Sequence, residues 1–252
     1  MKQAILAVSF GTTHDETREK TIGAVERTFS EAYPEIPVYR AFTSEKVIRA
    51  LASRGITVDT VAEALEKLLA DGVEEVIVQP THIINGTEFD YMESDVFMYA
   101  DNFYSVKTGT PLLSSDEDML AAAKAVVEGV KLENGETLVL MGHGSEHSEN
   151  AVYSKMNEIF GKLSENIMLA TVEAKPDIND CISRLKADGA KKVLLAPFML
   201  VAGEHAQNDM NVSWRALFEQ NGIETRTVMR GLGEYEGIRQ IYLRHLKAAM
   251  EG

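Results

Sequence analysis

Two stretches of the chain, 70-ADGVEEVIVQP-80 and 187-ADGAKKVLLAP-197, share one pattern and decide the fold. Each runs from Ala-Asp-Gly into a short apolar segment that ends at a proline, and they are 117 residues apart (187 − 70 = 117). Short β-rich apolar runs separated by longer amphipathic segments predict a parallel sheet with crossover helices. Because the pattern occurs twice, it indicates an internal duplication.

Other positions support the duplication. Gly86 and Gly203 keep the offset of 117, whereas Phe10-Gly11-Thr12 and His143-Gly144-Ser145, each directly after an apolar run, are 133 apart. The first half therefore holds 16 extra residues (133 − 117 = 16), which we place around residues 44–55. We predict an α/β fold of two doubly wound parallel-sheet lobes, 1–130 and 131–252. Their cleft should lie at the carboxyl ends of the strands.

The pattern assigns an element to most of the chain. The predicted strands are 4–9, 38–42, 75–79, 105–107, 137–141, 168–172, 192–197 and 225–228. The predicted helices are 17–33, 44–53, 60–70 with Asp59 as N-cap, 88–102, 116–130, 150–161, 177–188, 209–221 and 235–250.

Composition excludes several classes of protein. The single cysteine, Cys181, excludes an intrachain disulfide and a cysteine-rich metal site. No apolar run approaches the roughly 20 residues of a membrane span, so we expect no membrane contact. A net charge of −14 gives no basic face for nucleic acid. The apolar run 4–9 near the N-terminus is too short for a secretory signal, and we expect a cytoplasmic protein.

Three polar residues follow three successive strands of the second half. His143 stands where the first half has Phe10, and His205 where it has Glu88 (205 − 88 = 117). Glu173 lies between them, at spacings of 30 and 32 residues (173 − 143 and 205 − 173). Right-handed crossovers place such strand ends close together. Two imidazoles and a carboxylate suit Co²⁺, Fe²⁺, Ni²⁺ or Zn²⁺, or a general base. The alternative is a backbone hydrogen bond, a helix cap and an exposed loop residue, and the pattern leaves both open.

Other site candidates carry weaker signals. His147 is four residues after His143, but the flanking glycines argue against a helical metal pair. The run Gly11-Thr12-Thr13 has backbone N–H groups that suit an anion, without a full phosphate-loop motif. His82 lies in a long loop and is either a cleft residue or a structural hydrogen-bonding residue.

Several longer runs resemble one protein family. They are 8-VSFGTT-13, 41-AFTS-44, 82-HIINGTEF-89, 141-MGHGSEH-147, 171-TVEAKPD-177, 199-MLVAGEHAQNDM-210 and 231-GLGEYEGIRQI-241. They resemble the anaerobic sirohydrochlorin cobaltochelatases, class II chelatases related to the protohaem ferrochelatases. The resemblance implies two α/β lobes around a tetrapyrrole cleft. It also implies insertion of Co²⁺ into sirohydrochlorin on the oxygen-independent route to cobalamin, with no nucleotide or organic cofactor.

The resemblance also implies roles for particular residues. His143, Glu173 and His205 would bind the metal, and His143 would be the principal base for the pyrrole protons. Glu88 would be a second proton acceptor or metal guide. The expected substrate-binding residues are Phe10, Gly11, Thr12, Thr13 and His82.

The substrate's carboxylates need local cations in so acidic a chain. The candidates near the first-half insertion are Arg40, Lys46, Arg49 and Arg54. Three alternatives stand beside the cobaltochelatase: a sirohydrochlorin ferrochelatase for siroheme, a non-catalytic tetrapyrrole or metal carrier, and a histidine phosphatase. The last needs an arginine before the histidine, and Gly142 stands there. A homo-oligomer remains open.

Overall fold

The computed structural model describes residues 1–145 and 147–252, without the side chain of Glu149. Strands of the described chain form two parallel sheets. The first holds β1 (Gln3–Ser9), β2 (Val38–Phe42), β3 (Asp59–Thr60), β4 (Glu75–Pro80) and β5 (Ser105–Thr108). The second holds β6 (Glu136–Gly142), β7 (Ile167–Thr171), β8 (Lys192–Pro197) and β9 (Glu224–Thr227).

Helices cover the faces of both sheets. In chain order they are α1 (Asp15–Lys20), α2 (Ile22–Ala32), α3 (Glu45–Ala52), α4 (Val61–Ala70), α5 (Thr87–Ala100), α6 (Asp116–Gly129), α7 (Ala151–Leu163), α8 (Ile178–Ala187), α9 (Arg215–Gln220) and α10 (Glu236–Glu251). A π-helix, Ala206–Trp214, precedes α9. No helix in the described residues combines the length and apolar composition of a membrane-spanning segment.

The two sheets share one topology. Their strand orders are β3-β2-β1-β4-β5 and β7-β6-β8-β9. In the first sheet β1 lies between β2 and β4, and in the second sheet β6 lies between β7 and β8. The strand order therefore reverses beside β1 and beside β6. Ligands of open α/β sheets bind at such switch points. Among the described elements, α3 and β3 have no second-half counterpart, and α3 lies where the sequence places the insertion.

The strands are apolar because both of their faces are covered. Every residue of β6 is buried, as is every residue of β1 except Gln3. Side chains alternate between two layers, as strand geometry requires. Ile5 and Ala7 face a core shared with Leu138 and Leu140 of the second sheet, whereas Leu6 faces a separate core under α4 and α5. One continuous apolar core therefore joins the two halves.

The helix that closes each half packs against the other half. α10, the last helix, lies against β4, β5 and α2 of the first half, and α6, the last helix of the first half, lies against α7. The Tyr242 hydroxyl of α10 donates to the Thr81 carbonyl at 2.7 Å, directly after β4. A boundary between residues 130 and 131 stays a prediction, and packing across it is extensive.

Three helix predictions differ from the structure. The helix predicted over 17–33 is two helices, because Thr21 leaves helical geometry at φ −113° and ψ −79°. Gly233 of the second half packs closely on the Thr21 backbone there, since a Cβ on this glycine would lie 2.8 Å from the Thr21 Cα. α4 is capped by Thr60, not Asp59, in a capping box with Glu63. The helix predicted from residue 209 begins earlier, as the π-helix.

Candidate functional site

Three adjacent strands place the second-half candidates at one edge of the sheet. β6 lies between β7 and β8, with Gly142 paired to Thr171 and Met141 to Pro197. His143 directly follows β6, Glu173 follows β7, and His205 follows β8 after a loop. The predicted convergence of these strand ends is therefore what the topology produces.

The glycines around His143 allow two loops to meet. A Cβ on Gly142 would lie 2.8 Å from the Tyr153 ring. Gly144 has φ +85°, and a Cβ there would lie 2.9 Å from the Ala174 backbone nitrogen. Because neither residue has a side chain, the N–H of Glu173 reaches the His143 carbonyl at 2.9 Å. The Gly-His-Gly sequence thus fixes Glu173 beside His143.

The two histidine rings face each other. His143 and His205 stack edge to face, with ring centroids 4.7 Å apart and planes at 90°. Their side chains are 43% and 40% exposed, so solutes reach both rings. His205, and not His147, is the ring that His143 contacts in the described residues, in line with the expectation that the glycines prevent a helical pair.

Hydrogen bonds define which nitrogen each ring presents. The His143 Nδ1 lies 2.9 Å from the Gly144 carbonyl oxygen, and the His205 Nδ1 lies 2.7 Å from Asp209 Oδ2. Carbonyl and carboxylate oxygens only accept, so we assign the hydrogen to Nδ1 in both rings. In the described residues no hydrogen bond occupies either Nε2, so a ring with its hydrogen on Nδ1 alone presents a lone pair there.

Glu173 is the third residue of this group, and its carboxylate lies on the Nδ1 side of His143. Its Oε2 lies 3.6 Å from His143 Nδ1, the nitrogen opposite the one left open. Within the described part of the chain, no three His, Cys, Asp or Glu side chains are already arranged as a metal-binding cluster. The three residues are neighbours, and their assignment as ligands stays a prediction.

The first-half candidates form the loop after β1. Phe10 directly follows the strand and is 48% exposed, so its ring is an apolar surface at the sheet edge. Gly11, at φ +99°, packs on the Phe42 ring. The Thr12 carbonyl accepts from Arg18 at 3.2 Å and the Thr13 carbonyl from Arg54 at 2.6 Å. Thr12 itself is buried, which limits any contact of its side chain with substrate.

That loop meets the second half. A Cβ on Gly203 would lie 3.6 Å from Thr12 Oγ1, and Leu200 and Val201 pack on Ile22 and Phe42. The loop between β8 and His205 therefore touches the first half where β1 ends. Residues after β1 and after β8 lie at one junction between the lobes.

His82 and Glu88 flank the turn from β4 into α5. Both ring nitrogens of His82 are buried and have no hydrogen-bond partner in the described residues. The structure therefore shows no structural hydrogen bond of this ring to the residues that it describes. Burial lowers the pKa of His82 to about 4, so the ring is neutral, and it meets Phe89 edge-on at 6.3 Å. Glu88 lies half-buried in the first turn of α5.

Three of the four candidate cations are held in ion pairs. Arg40 binds Glu26, Arg49 binds Glu45, and Arg54 binds Asp15. Lys46 is exposed and has no ion pair with any residue that the structure describes. Of the four, Lys46 is therefore the one whose charge is available to a substrate carboxylate.

Sequence reasoning missed two carboxylates. Asp209 binds His205, and the signal was their spacing of four residues at the start of a helix. Asp90 of α5 lies with its Oδ2 3.5 Å from His147 Nε2, so His147 faces the first half across the lobes. That contact spans distant parts of the chain, and no local pattern predicts it.

The fold is that of the chelatases. The sirohydrochlorin chelatase SirB from Bacillus subtilis subspecies spizizenii, solved in complex with cobalt, superposes with a TM-score of 0.70 at 14% identity, covering all of this chain and 96% of SirB. The predicted duplicated, chelatase-like α/β fold is thereby confirmed.

The chain belongs to the cobalt chelatase (CbiK) family, whose family model matches residues 3–251. It is 38% identical over 256 residues to the sirohydrochlorin cobaltochelatase of Salmonella typhimurium, spanning 99% of this chain and 97% of the relative. It is 32% identical over 257 residues to sirohydrochlorin cobaltochelatase CbiKC of Nitratidesulfovibrio vulgaris, spanning 99% and 91%. The family resemblance of the quoted motifs is confirmed.

Proposed function

We propose that this protein is a metal chelatase of the lyase class that inserts Co²⁺ into sirohydrochlorin in anaerobic cobalamin biosynthesis. The observation that carries the proposal is the full-length similarity to sirohydrochlorin cobaltochelatases. The geometry is compatible with it, since two imidazole lone pairs open at the junction of the two lobes. Macrocycle and Co²⁺ are both substrates, and two protons leave.

His143 and His205 would hold the incoming ion through Nε2. Glu173 would add its carboxylate by rotating away from the Nδ1 side of His143, where it now lies. Imidazole and carboxylate donors suit borderline divalent ions, whereas thiolates hold them more tightly. A set without cysteine therefore favours transfer of the metal over storage.

The pyrrolic N–H protons need acceptors as the metal enters the macrocycle. His143 is the proposed principal base, because Nε2 is the ring position without a hydrogen. An Nε2 that holds Co²⁺ cannot accept a proton at the same moment. His143 would therefore take its proton as the ion passes to the macrocycle, and Glu88 would take the second.

The macrocycle would lie where the loops after β1 and β8 meet. Phe10 offers a half-exposed ring for its flat face, and the Gly11-Thr12-Thr13 backbone borders the same edge. His82, which burial keeps neutral, would lie beside the macrocycle and would not repel the metal ion. Lys46 would pair with a substrate carboxylate. A cytoplasmic location and a homo-oligomer stay predictions.

The test is insertion by the pure protein. Incubated anaerobically with sirohydrochlorin and Co²⁺, the protein should accelerate the absorbance change of metallation over the uncatalysed rate. No acceleration with Co²⁺, but tight binding of the macrocycle, would indicate a carrier. Faster turnover with Fe²⁺ than with Co²⁺ would indicate a siroheme ferrochelatase.

His143→Ala tests the assigned base, and we expect turnover to be lost. Added imidazole, which fits the vacated space, should restore part of the rate if the ring acts chemically. An unchanged thermal midpoint would show that the variant is folded. Wild-type rates without imidazole would remove His143 from the proposal.

His205→Ala and Glu173→Ala test the ligand set. Each should weaken Co²⁺ binding, measured by titration calorimetry without the macrocycle. Lys46→Ala is the control, since it should change the KM for sirohydrochlorin and leave Co²⁺ affinity unaltered. Wild-type Co²⁺ affinity in both ligand variants would contradict the assignment.

A further inference from the structure

His205 and Asp209 form a close pair at the start of the π-helix. The His205 Nδ1 lies 2.7 Å from Asp209 Oδ2, four residues further along the same helical segment. The two side chains are 40% and 38% exposed. The pair therefore borders the candidate site and its contact is within normal hydrogen-bond distance.

The carboxylate determines how the ring is presented. An ionised carboxylate only accepts, so it requires the hydrogen on Nδ1 and leaves the lone pair on Nε2. The bond also limits rotation of the ring, whose edge-to-face contact with His143 lies on the side of the candidate site. Without Asp209, both tautomers and a flipped ring become accessible.

His143, the partner histidine, also has an acceptor at Nδ1, but this acceptor is a backbone group. The His143 Nδ1 is engaged by the Gly144 backbone carbonyl at 2.9 Å. Each of the two rings thus has an acceptor at Nδ1, a backbone group for His143 and a side chain for His205. Histidine ligands of metals in general carry such an acceptor on the second nitrogen, and it orients the ring.

We propose that Asp209 is a positioning residue, which holds His205 with Nε2 directed at the incoming Co²⁺. The inference rests on the proposed function, and it adds a carboxylate that contacts neither the metal nor the macrocycle. A neighbouring pair gives the comparison. Arg215 and Glu219 have the same four-residue spacing in α9 at 2.8 Å, without a histidine. Their pair should contribute to surface stability alone.

Asp209→Asn is the test, because it keeps the shape and removes the charge. Its amide can donate to Nδ1 and so stabilise the tautomer with the hydrogen on Nε2. We expect Co²⁺ affinity to fall by about 10- to 100-fold, the usual effect of losing such a partner. Asp209→Glu should recover part of the loss. Glu219→Gln, the matched control, should bind Co²⁺ as the wild type does.

The tautomer itself is the readout that a purely structural role would not move. In metal-free protein, long-range ¹H–¹⁵N correlation spectra should show the hydrogen of His205 on Nδ1 in the wild type and on Nε2, or on both, in Asp209→Asn. Wild-type tautomer together with wild-type Co²⁺ affinity in that variant overturns the inference. Failure of the wild type to metallate sirohydrochlorin overturns the proposed function instead, so the two failures are distinguishable.

Discussion

Gly144 shows how one residue without a side chain builds the site. Its φ of +85° is left-handed, and the space where a Cβ would lie is filled by Thr171 and Ala174. The glycine lets the loops after β6 and β7 share hydrogen bonds, and those bonds place Glu173 beside His143. The position is thus restricted both by conformation and by contact.

Gly144→Ala should therefore cost more than the conformational term alone. The left-handed backbone costs roughly 1–2 kcal/mol in a residue with a Cβ, and the overlap with Ala174 adds to it. Gly189→Ala is the control, since that glycine has φ +69° and nothing among the described atoms lies within 4 Å of its Cβ position. Urea unfolding measures both variants. Equal losses in the free energy of unfolding for the two variants would show that the loop at Gly144 accommodates the added methyl group at no further cost.

His82 gives a pH dependence whose sign follows from its burial. Its folded pKa is about 4, and an unfolded histidine titrates near 6.5. Between these values the unfolded chain binds a proton that the folded chain does not. The free energy of unfolding therefore falls as pH drops from 7 to 5, by up to about 2 kcal/mol from this group.

His82→Gln should remove that contribution, because glutamine does not titrate. Unfolding in urea at pH 7 and pH 5 should show a smaller acid loss in the variant than in the wild type. Other titrating groups act equally on both proteins and cancel in the comparison. The same acid loss in the two proteins would mean that the His82 ring is protonated without cost.

At the scale of elements, α6 and α10 are joined by a buried carboxylate. Asp118 of α6, 5% exposed, accepts from Ser115 and from Arg244 of α10 at 2.6 Å each, and lies 3.0 Å from His245 Nε2. Burial acts to raise the pKa of Asp118, but these hydrogen bonds outweigh it and the pKa lies below its ordinary value. The carboxylate therefore stabilises the contact between the two closing helices.

Asp118→Ala should destabilise the protein by about 1–3 kcal/mol, because it leaves Nε2 of the buried His245 without its partner. Asp116→Ala is the control, since Asp116 pairs with Lys155 at the surface and should cost less than about 1 kcal/mol. The Asp118 contribution is present above the unfolded pKa near 4 and is lost as pH falls through the lower folded value. Similar costs for the two variants in urea unfolding at pH 7 would contradict this network.

Most elements were predictable because their signals are local. The apolar runs and their prolines place the strands, and the duplication places the insertion. The break at Thr21 was not predictable, because local helix propensity gives no sign of it and the residue packed against it, Gly233, is more than two hundred positions away in the chain. The π-helix was not predictable either, because helical periodicity carries no signal for it. The approach of His143, Glu173 and His205 followed from strand topology, whereas the orientation of the rings depends on Gly144 and Asp209, which strand-end reasoning does not address.

At the scale of the whole molecule, the shared core predicts that both halves unfold together. Ile5 and Ile77 of the first sheet belong to the same core as Leu138 and Leu194 of the second. Such continuity removes the surface along which one half would separate from the other. Two halves with separate cores would instead unfold as separate units.

The one tryptophan, Trp214, makes this testable because it lies buried in the second half. Its fluorescence reports that half, whereas far-UV circular dichroism reports every helix. We expect the two urea transitions to coincide. A fluorescence transition at a lower midpoint than the circular dichroism transition would show that the second half unfolds independently.

The exchange of closing helices also has a consequence for biosynthesis. As the chain leaves the ribosome, the first sheet emerges early, yet α10, which packs on β4 and β5 of that sheet, is translated after every other helix. Until then the part of the sheet under α10 stays apolar and open, the condition in which nascent chains aggregate or recruit chaperones. A messenger cut short before codon 236 yields a chain that cannot cover β4 and β5 with α10. The packing on β4 and β5 is therefore complete only in chains whose translation has reached the last helix.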